Sequence, residues 1–180
     1  MKNEVLRTVV VSTCFLAAFW ISIFLLGPIQ KYFLGDLPNY LSLLFLPHGV
    51  RLLSAWIYRA KSILYIFPGA LLAHVSSNGL GALFELPTLT TLVGSTVGIV
   101  GIVAIEAISG TRINALTSMA QWKYLLIAGG IASLVNSILT SLIYGTDVVQ
   151  GVGYLIGDIS GQFFLMLILV FVFRIERRIS

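Results

Sequence analysis

The chain has 180 residues, of which 58% are apolar and only 10% charged, with a formal charge of +4 and a mean hydropathy of +0.99. A soluble domain is about a quarter charged, so this composition cannot cover a water-facing surface. The basic residues stand singly between apolar runs, which is the spacing of topology determinants rather than of a nucleic-acid-binding face.

Six segments meet or approach the ~20 residues that a helix needs to cross a hydrocarbon core of ~30 Å: 8–27, 40–58, 62–80, 89–109, 122–144 and 152–173. They predict an all-α membrane protein, a six-span transmembrane helical bundle forming a single integral membrane domain over 1–180. The first segment is longer than a signal-peptide core of about 7–15 residues, so it reads as a retained span ending at Gly27-Pro28. Its one cysteine, Cys14, has no thiol to pair with and no metal-type spacing around it. The second segment contains Pro47-His48-Gly49. Proline removes a backbone donor, so a helix interruption is expected there, at a depth where open backbone must be buried in protein or line a cavity.

Only Arg59-Ala60-Lys61 separates the second and third segments, which predicts a tight antiparallel hairpin, and Pro68-Gly69 repeats the proline–glycine pattern in the third. The fourth segment carries Gly94, Gly98 and Gly101, and near its end Glu106, within reach of Arg112 as an interfacial ion pair. Gly129, Gly130, Ala132, Ser133 and Ser137 mark the fifth; Gly153, Gly157 and Gly161, every fourth residue, mark the sixth. Small residues in such rows let helix backbones approach closely in lipid.

Orientation follows from lysine and arginine. With the N-terminus inside, Lys2, Arg7, Arg59, Lys61, Arg112, Lys123, Arg174, Arg177 and Arg178 fall on the cytoplasmic side, and only Lys31 falls opposite, beside Asp36, Glu85 and Asp147. This predicts a multi-pass chain with N-in and C-in orientation.

Ionisable groups inside spans are costly and face a cavity or a partner. Counted from the outer end of each segment at 1.5 Å per residue, His74 and Asp158 lie roughly 9 Å deep, His48 and Asn136 roughly 12 Å, Arg51 and Gln162 roughly 15–17 Å. His48, Arg51, His74, Asn136, Asp158 and Gln162 can therefore surround one outward-facing polar cavity. Within it, Arg51 either neutralises Asp158 or offers its charge to an anionic group. Two histidines also raise a haem or a metal site, but the pattern favours neither: no cofactor and no metal are expected.

Leu46-Pro47-His48-Gly49-Val50-Arg51-Leu52-Leu53, then Ile66-Phe67-Pro68-Gly69-Ala70-Leu71-Leu72-Ala73-His74, and later Gly157-Asp158-Ile159-Ser160-Gly161 resemble the MASE1 membrane sensor domain in motif, order and spacing. The resemblance covers about a third of the chain. It implies a bacterial sensory module, a class usually built with more spans than six and fused to a cytoplasmic kinase or diguanylate cyclase. Seven residues follow Phe173, so a MASE1-like chain of this kind would signal through a separate protein partner. Size and topology are also similar to the substrate-binding component of energy-coupling-factor transporters, although Ala17 and Ala18 are adjacent where that class has A-x-x-x-A. The expected function is a non-enzymatic module, with no nucleophile–base pair and no phosphate loop, for ligand sensing or partner docking through the polar cavity. The alternatives are the substrate-binding part of a transporter and an accessory subunit of a larger membrane complex. The expected partners are the lipid bilayer and a separate signalling, transport or complex protein, with no nucleic acid.

Overall fold

The computed structural model describes residues 2–34, 43–113 and 122–179, and all regular structure among them is helical. Helix α1, Lys2–Trp20, continues through a π-helical turn, Ile21–Leu26, into α2, Gly27–Leu34. Gly27-Pro28 is therefore not the stop that its composition predicts. Pro28 lacks an amide, and just before it the ladder widens to five residues, with the Gly27 amide donating to the Ser22 carbonyl. Helix α3, Leu46–Tyr58, joins α4, Ser62–Asn78, through a single 3-10 turn, Arg59–Lys61. Short 3-10 turns then lead to α5, Leu89–Ser109, followed by α6, Trp122–Tyr144, and α7, Val148–Ile179. Gly110 and Gly145, at φ of 63° and 64°, end α5 and α6 in the left-handed conformation that glycine adopts without a Cβ penalty.

Among the described residues, four helical stretches are long and apolar enough to cross a membrane: Asn3–Phe33, Leu86–Ser109, Trp122–Tyr144 and Val148–Val172. Helices α3 and α4 have 13 and 17 residues, or about 20 and 25 Å, and fall short of that length. The expected segment 40–58 is corrected at its start. Residues 40–42 lie outside the described residues, Leu43–Phe45 is not helical, and the helix begins at Leu46. Pro47 sits in the first turn, where its missing donor costs nothing, so Pro47-His48-Gly49 opens a helix instead of interrupting one. The expected segment 152–173 is extended at both ends by α7.

Short as it is, α3 lies at the centre, packed against α1, α4, α5, α6 and α7. Leu46 through Leu52, with Ser54 and Ala55, are buried. That enclosure is what lets non-helical backbone exist before Leu46, because every polar group there must find a protein partner. The Phe45 amide donates to the Gly157 carbonyl (2.8 Å), and the Ser160 hydroxyl donates to the Leu43 carbonyl. The Leu43 amide reaches Gln30 Oε1 (2.9 Å) and the Leu46 amide reaches Ser22 Oγ (3.1 Å). The π turn is what carries fully buried Ser22 to that amide.

Close approaches need the glycines. A Cβ at Gly98 would lie 2.7 Å from the Arg51 carbonyl, at Gly101 2.1 Å from the Ala128 carbonyl, and at Gly161 2.1 Å from the Phe45 carbonyl. Gly153, Gly157 and Gly161 are all buried, so this row of α7 turns inward. Pro68 leaves α4 continuous. The Ser12 hydroxyl of α1 donates to the Tyr65 carbonyl (2.8 Å) and accepts from the Gly69 amide (3.1 Å), bridging backbone on either side of the proline.

One end of the bundle gathers charge. Glu4 of α1 accepts from Lys61 (3.2 Å) and from the Tyr65 hydroxyl. Arg59, in the α3–α4 turn, makes a two-pronged contact with Glu106 of α5 (2.9 and 2.6 Å), and Glu106 also accepts the Ile113 amide (2.7 Å). The expected ion pair of Glu106 thus forms with Arg59, across two helices, rather than with nearby Arg112. The large side chains Phe24, Leu64, Leu72, Val103 and Val170 are exposed along the helices, as a lipid-facing surface requires.

Candidate functional site

A buried polar layer crosses the centre of the bundle where α3 begins. His48, in the first turn of α3, is fully enclosed. Its Nε2 lies 3.1 Å from the Gly129 carbonyl of α6. A carbonyl can only accept, so Nε2 carries a proton and donates. Nδ1 then faces Asp158 Oδ2 of α7 at 3.3 Å, close enough for an ion-pair contact but without the alignment of a hydrogen bond. The same carboxylate oxygen accepts the Asn136 side-chain amide of α6 at 2.7 Å. Three helices therefore meet on one carboxyl group that is 2% exposed.

Gln162, one turn further along α7, closes the layer below. Its Nε2 donates to the Leu125 carbonyl (3.1 Å), and its amide lies flat on Gly129, where a Cβ would stand 1.6 Å from Oε1. Gly129 serves twice, as acceptor for His48 and as the space that Gln162 fills. Neither role is visible from a small residue in an apolar run. The only sequence signal is the need of a buried glutamine for a residue without a side chain opposite it.

Arg51 lies one turn along α3 from His48 and is 8% exposed. Its guanidinium carbon sits 5.4 Å from the Phe15 ring centre and 5.5 Å from that of Phe45, so the cation is flanked by two aromatic rings. On the α5 side it presses on Gly94, where a Cβ would fall 2.5 Å from Nη2. Nε and Nη1 are buried and donate to no group among the described residues. Among the described residues no ion pair joins Arg51 to Asp158; the carboxylate is in contact with His48 and Asn136 instead. Among the described residues, Arg51 is the one permanently charged member of the buried, unpartnered polar groups, which otherwise comprise His48 Nδ1 and the neutral groups of Trp56, Ser62, Ser141 and Thr146.

His74 is not part of this layer. The Thr88 hydroxyl donates to the Ala82 carbonyl and so accepts from His74 Nε2 at 3.3 Å. Asn78 reaches His74 Nδ1 at 3.5 Å and the His74 carbonyl at 3.0 Å. This histidine ties the end of α4 to the turn before α5. His48, His74 and Asp158 are therefore not brought together, and no three His, Cys, Asp or Glu side chains that could hold a metal ion come together among the described residues. Of the six residues expected around one cavity, the structure brings His48, Asn136 and Asp158 into direct contact, sets Arg51 and Gln162 beside them, and places His74 elsewhere.

Chemically, the layer offers a cation with unused donors, a histidine–carboxyl contact and fixed amide dipoles. No family model, no curated protein and no solved structure matches the chain.

Proposed function

We propose that the chain is a non-enzymatic integral membrane module, MASE1-like in kind, that recognises the anionic group of a ligand or partner at Arg51. In this reading it crosses the bacterial cytoplasmic membrane six times, N-in and C-in, with α3 and α4 as short crossings enclosed by longer helices. A separate protein partner receives the signal. The single observation that carries the reading is the Arg51 guanidinium, sealed between Phe15, Phe45 and Gly94 with Nε and Nη1 unpartnered. A buried charge left without hydrogen bonds costs several kcal/mol, about 3–5 when one member of a buried pair is removed. A guanidinium fork matches carboxylate, sulfate or phosphate oxygens in two-pronged geometry. Carrying that cost makes physical sense where an anion relieves it. The end of the bundle where Arg7, Arg59 and Lys61 gather around Glu4 and Glu106 carries a net positive charge, which supports the orientation.

Sulfate is a suitable probe, added to delipidated protein in neutral detergent. Saturating it about a hundredfold over its dissociation constant stabilises by about 2.7 kcal/mol, a rise in Tm of about 5–10 °C for a chain of this size. Arg51→Gln should abolish the rise, and Arg51→Lys, which keeps the charge without the fork, should keep only part of it. Stabilisation by phosphatidylglycerol but not by sulfate would assign the anion to a lipid headgroup. No stabilisation by either, or an equal rise in Arg51→Gln, contradicts the reading.

A further inference from the structure

We infer that His48 and Asp158 hold one exchangeable proton between them, and that an anion is taken up at Arg51 together with that proton. The second half rests on the function proposed above; the first half stands on geometry alone.

His48 Nε2 must donate to the Gly129 carbonyl, which leaves Nδ1 to meet Asp158 Oδ2 at 3.3 Å. With no further proton, a ring lone pair would face a carboxylate lone pair, both out of water and with nothing between them. In a low-dielectric interior that repulsion is large. One proton, on nitrogen as imidazolium facing carboxylate or on oxygen as carboxylic acid facing imidazole, turns the contact attractive and makes the pair neutral. One proton therefore serves both side chains, and they gain or lose it as a unit.

The surroundings confine this chemistry to the pair. α6 presents Asn136 and the Gly129 carbonyl, α1 and its π turn present Phe15 and Ser22, α5 presents Gly94, and none of these titrates near neutrality. On α4, His74 is engaged with Thr88 and Asn78. The Glu4–Lys61 and Arg59–Glu106 contacts lie at the basic end of the bundle. Arg51, on α3 itself, is the one other charge of the layer.

Charge accounting supplies the coupling. With the proton bound, the pair is neutral and the layer carries Arg51's +1. When the proton leaves to solvent, the pair carries −1 and the layer as a whole is neutral. An anion entering beside Arg51 is therefore attracted in the first state and meets a net-neutral site in the second. Protonation precedes or accompanies binding, so anion affinity rises as pH falls. For one linked proton, the apparent affinity drops about tenfold per pH unit once the pair has released it.

Sulfate keeps a constant charge across the useful range, so its stabilisation of the purified protein can be followed from about pH 5.5 to about 8.5. The native protein should show the one-proton slope. Asp158→Asn should bind sulfate with little pH dependence, and His48→Gln should lose the native profile, which covers the case that one variant fails to fold. Flat native affinity, or a native-like slope in Asp158→Asn, overturns the inference. If sulfate binds at no pH, the anion reading and the coupling fall together, and the pair is judged by itself. The chain has only two histidines, so 15N spectra resolve both rings. A His48 Nδ1 signal that titrates, and that shifts in Asp158→Asn, supports the shared proton. A His48 signal unmoved by pH and by Asp158→Asn removes it.

Discussion

The charged groups of this bundle fall into two regions that are finished to different degrees. At the basic end, Glu106 uses both oxygens on Arg59 and a backbone amide besides, and Glu4 takes Lys61, Arg7 and the Tyr65 hydroxyl. In the central layer, Arg51 donates from neither Nε nor Nη1, and His48 Nδ1 only approaches its carboxylate. Water is close to the first region and could have relieved poor geometry there, yet the geometry is good. The second is deep in the protein, where poor geometry costs most, and it is incomplete. On the function proposed above, the expensive and unfinished region is the one that takes a binding partner, and the cheap and complete region is scaffold. The comparison separates holding helices together from recognising something.

The largest expected effect tests whether the layer is as tightly built as this account requires. Gly129→Ala drives a methyl into the Gln162 amide, forcing a buried amide off its carbonyl partner, and should cost about 3 kcal/mol in denaturation in detergent. Gly130→Ala, the next residue, meets open space and should change stability little, gaining if anything from helix propensity. Equal tolerance at both positions would mean that the layer is loosely packed, and the contrast with the basic end would weaken.

A smaller effect belongs to the basic end. Glu106→Gln keeps the shape but weakens a charge-assisted two-pronged contact in which Arg59 is 34% and Glu106 16% exposed. The loss should be about 1 kcal/mol, reduced further by salt, because solvent screens such pairs. It should leave sulfate stabilisation intact. A change in sulfate response from this distant substitution would join the two regions and break the division between them.

Much of the all-helical architecture was legible because hydropathy and length report it directly, and because Gly110, Gly145 and Arg59-Ala60-Lys61 mark real ends and turns. The candidate site was legible only in part. Counting residues gives depth along a helix but not the direction a side chain faces, so His74 was grouped with residues that it does not join. Depth counting also presumes straight, full-length helices. The π turn at Ile21–Leu26 and the late start of α3 at Leu46 both break that assumption, and both arise near prolines whose local effect depends on what surrounds them. The roles of Ser12, Ser22 and Gly129 could not be read, since each consists of a bond between a side chain of one helix and the backbone of another. Glu106 was correctly marked as a paired carboxylate, but its partner is set by the packing of α3 on α5 and not by proximity in sequence.

Whether Arg51 is kept for binding at the expense of stability is decided by the stability of Arg51→Met without any added anion. Methionine fills similar volume between Phe15 and Phe45 and needs no acceptor. Replacing an uncompensated buried charge by an apolar side chain is expected to be neutral or favourable. Arg51→Met in anion-free detergent should therefore melt at or above the native temperature, by about 1 kcal/mol in stability, while losing the sulfate response. A loss of about 3 kcal/mol or more would show instead that Arg51 is a structural member of the bundle, and would contradict the account.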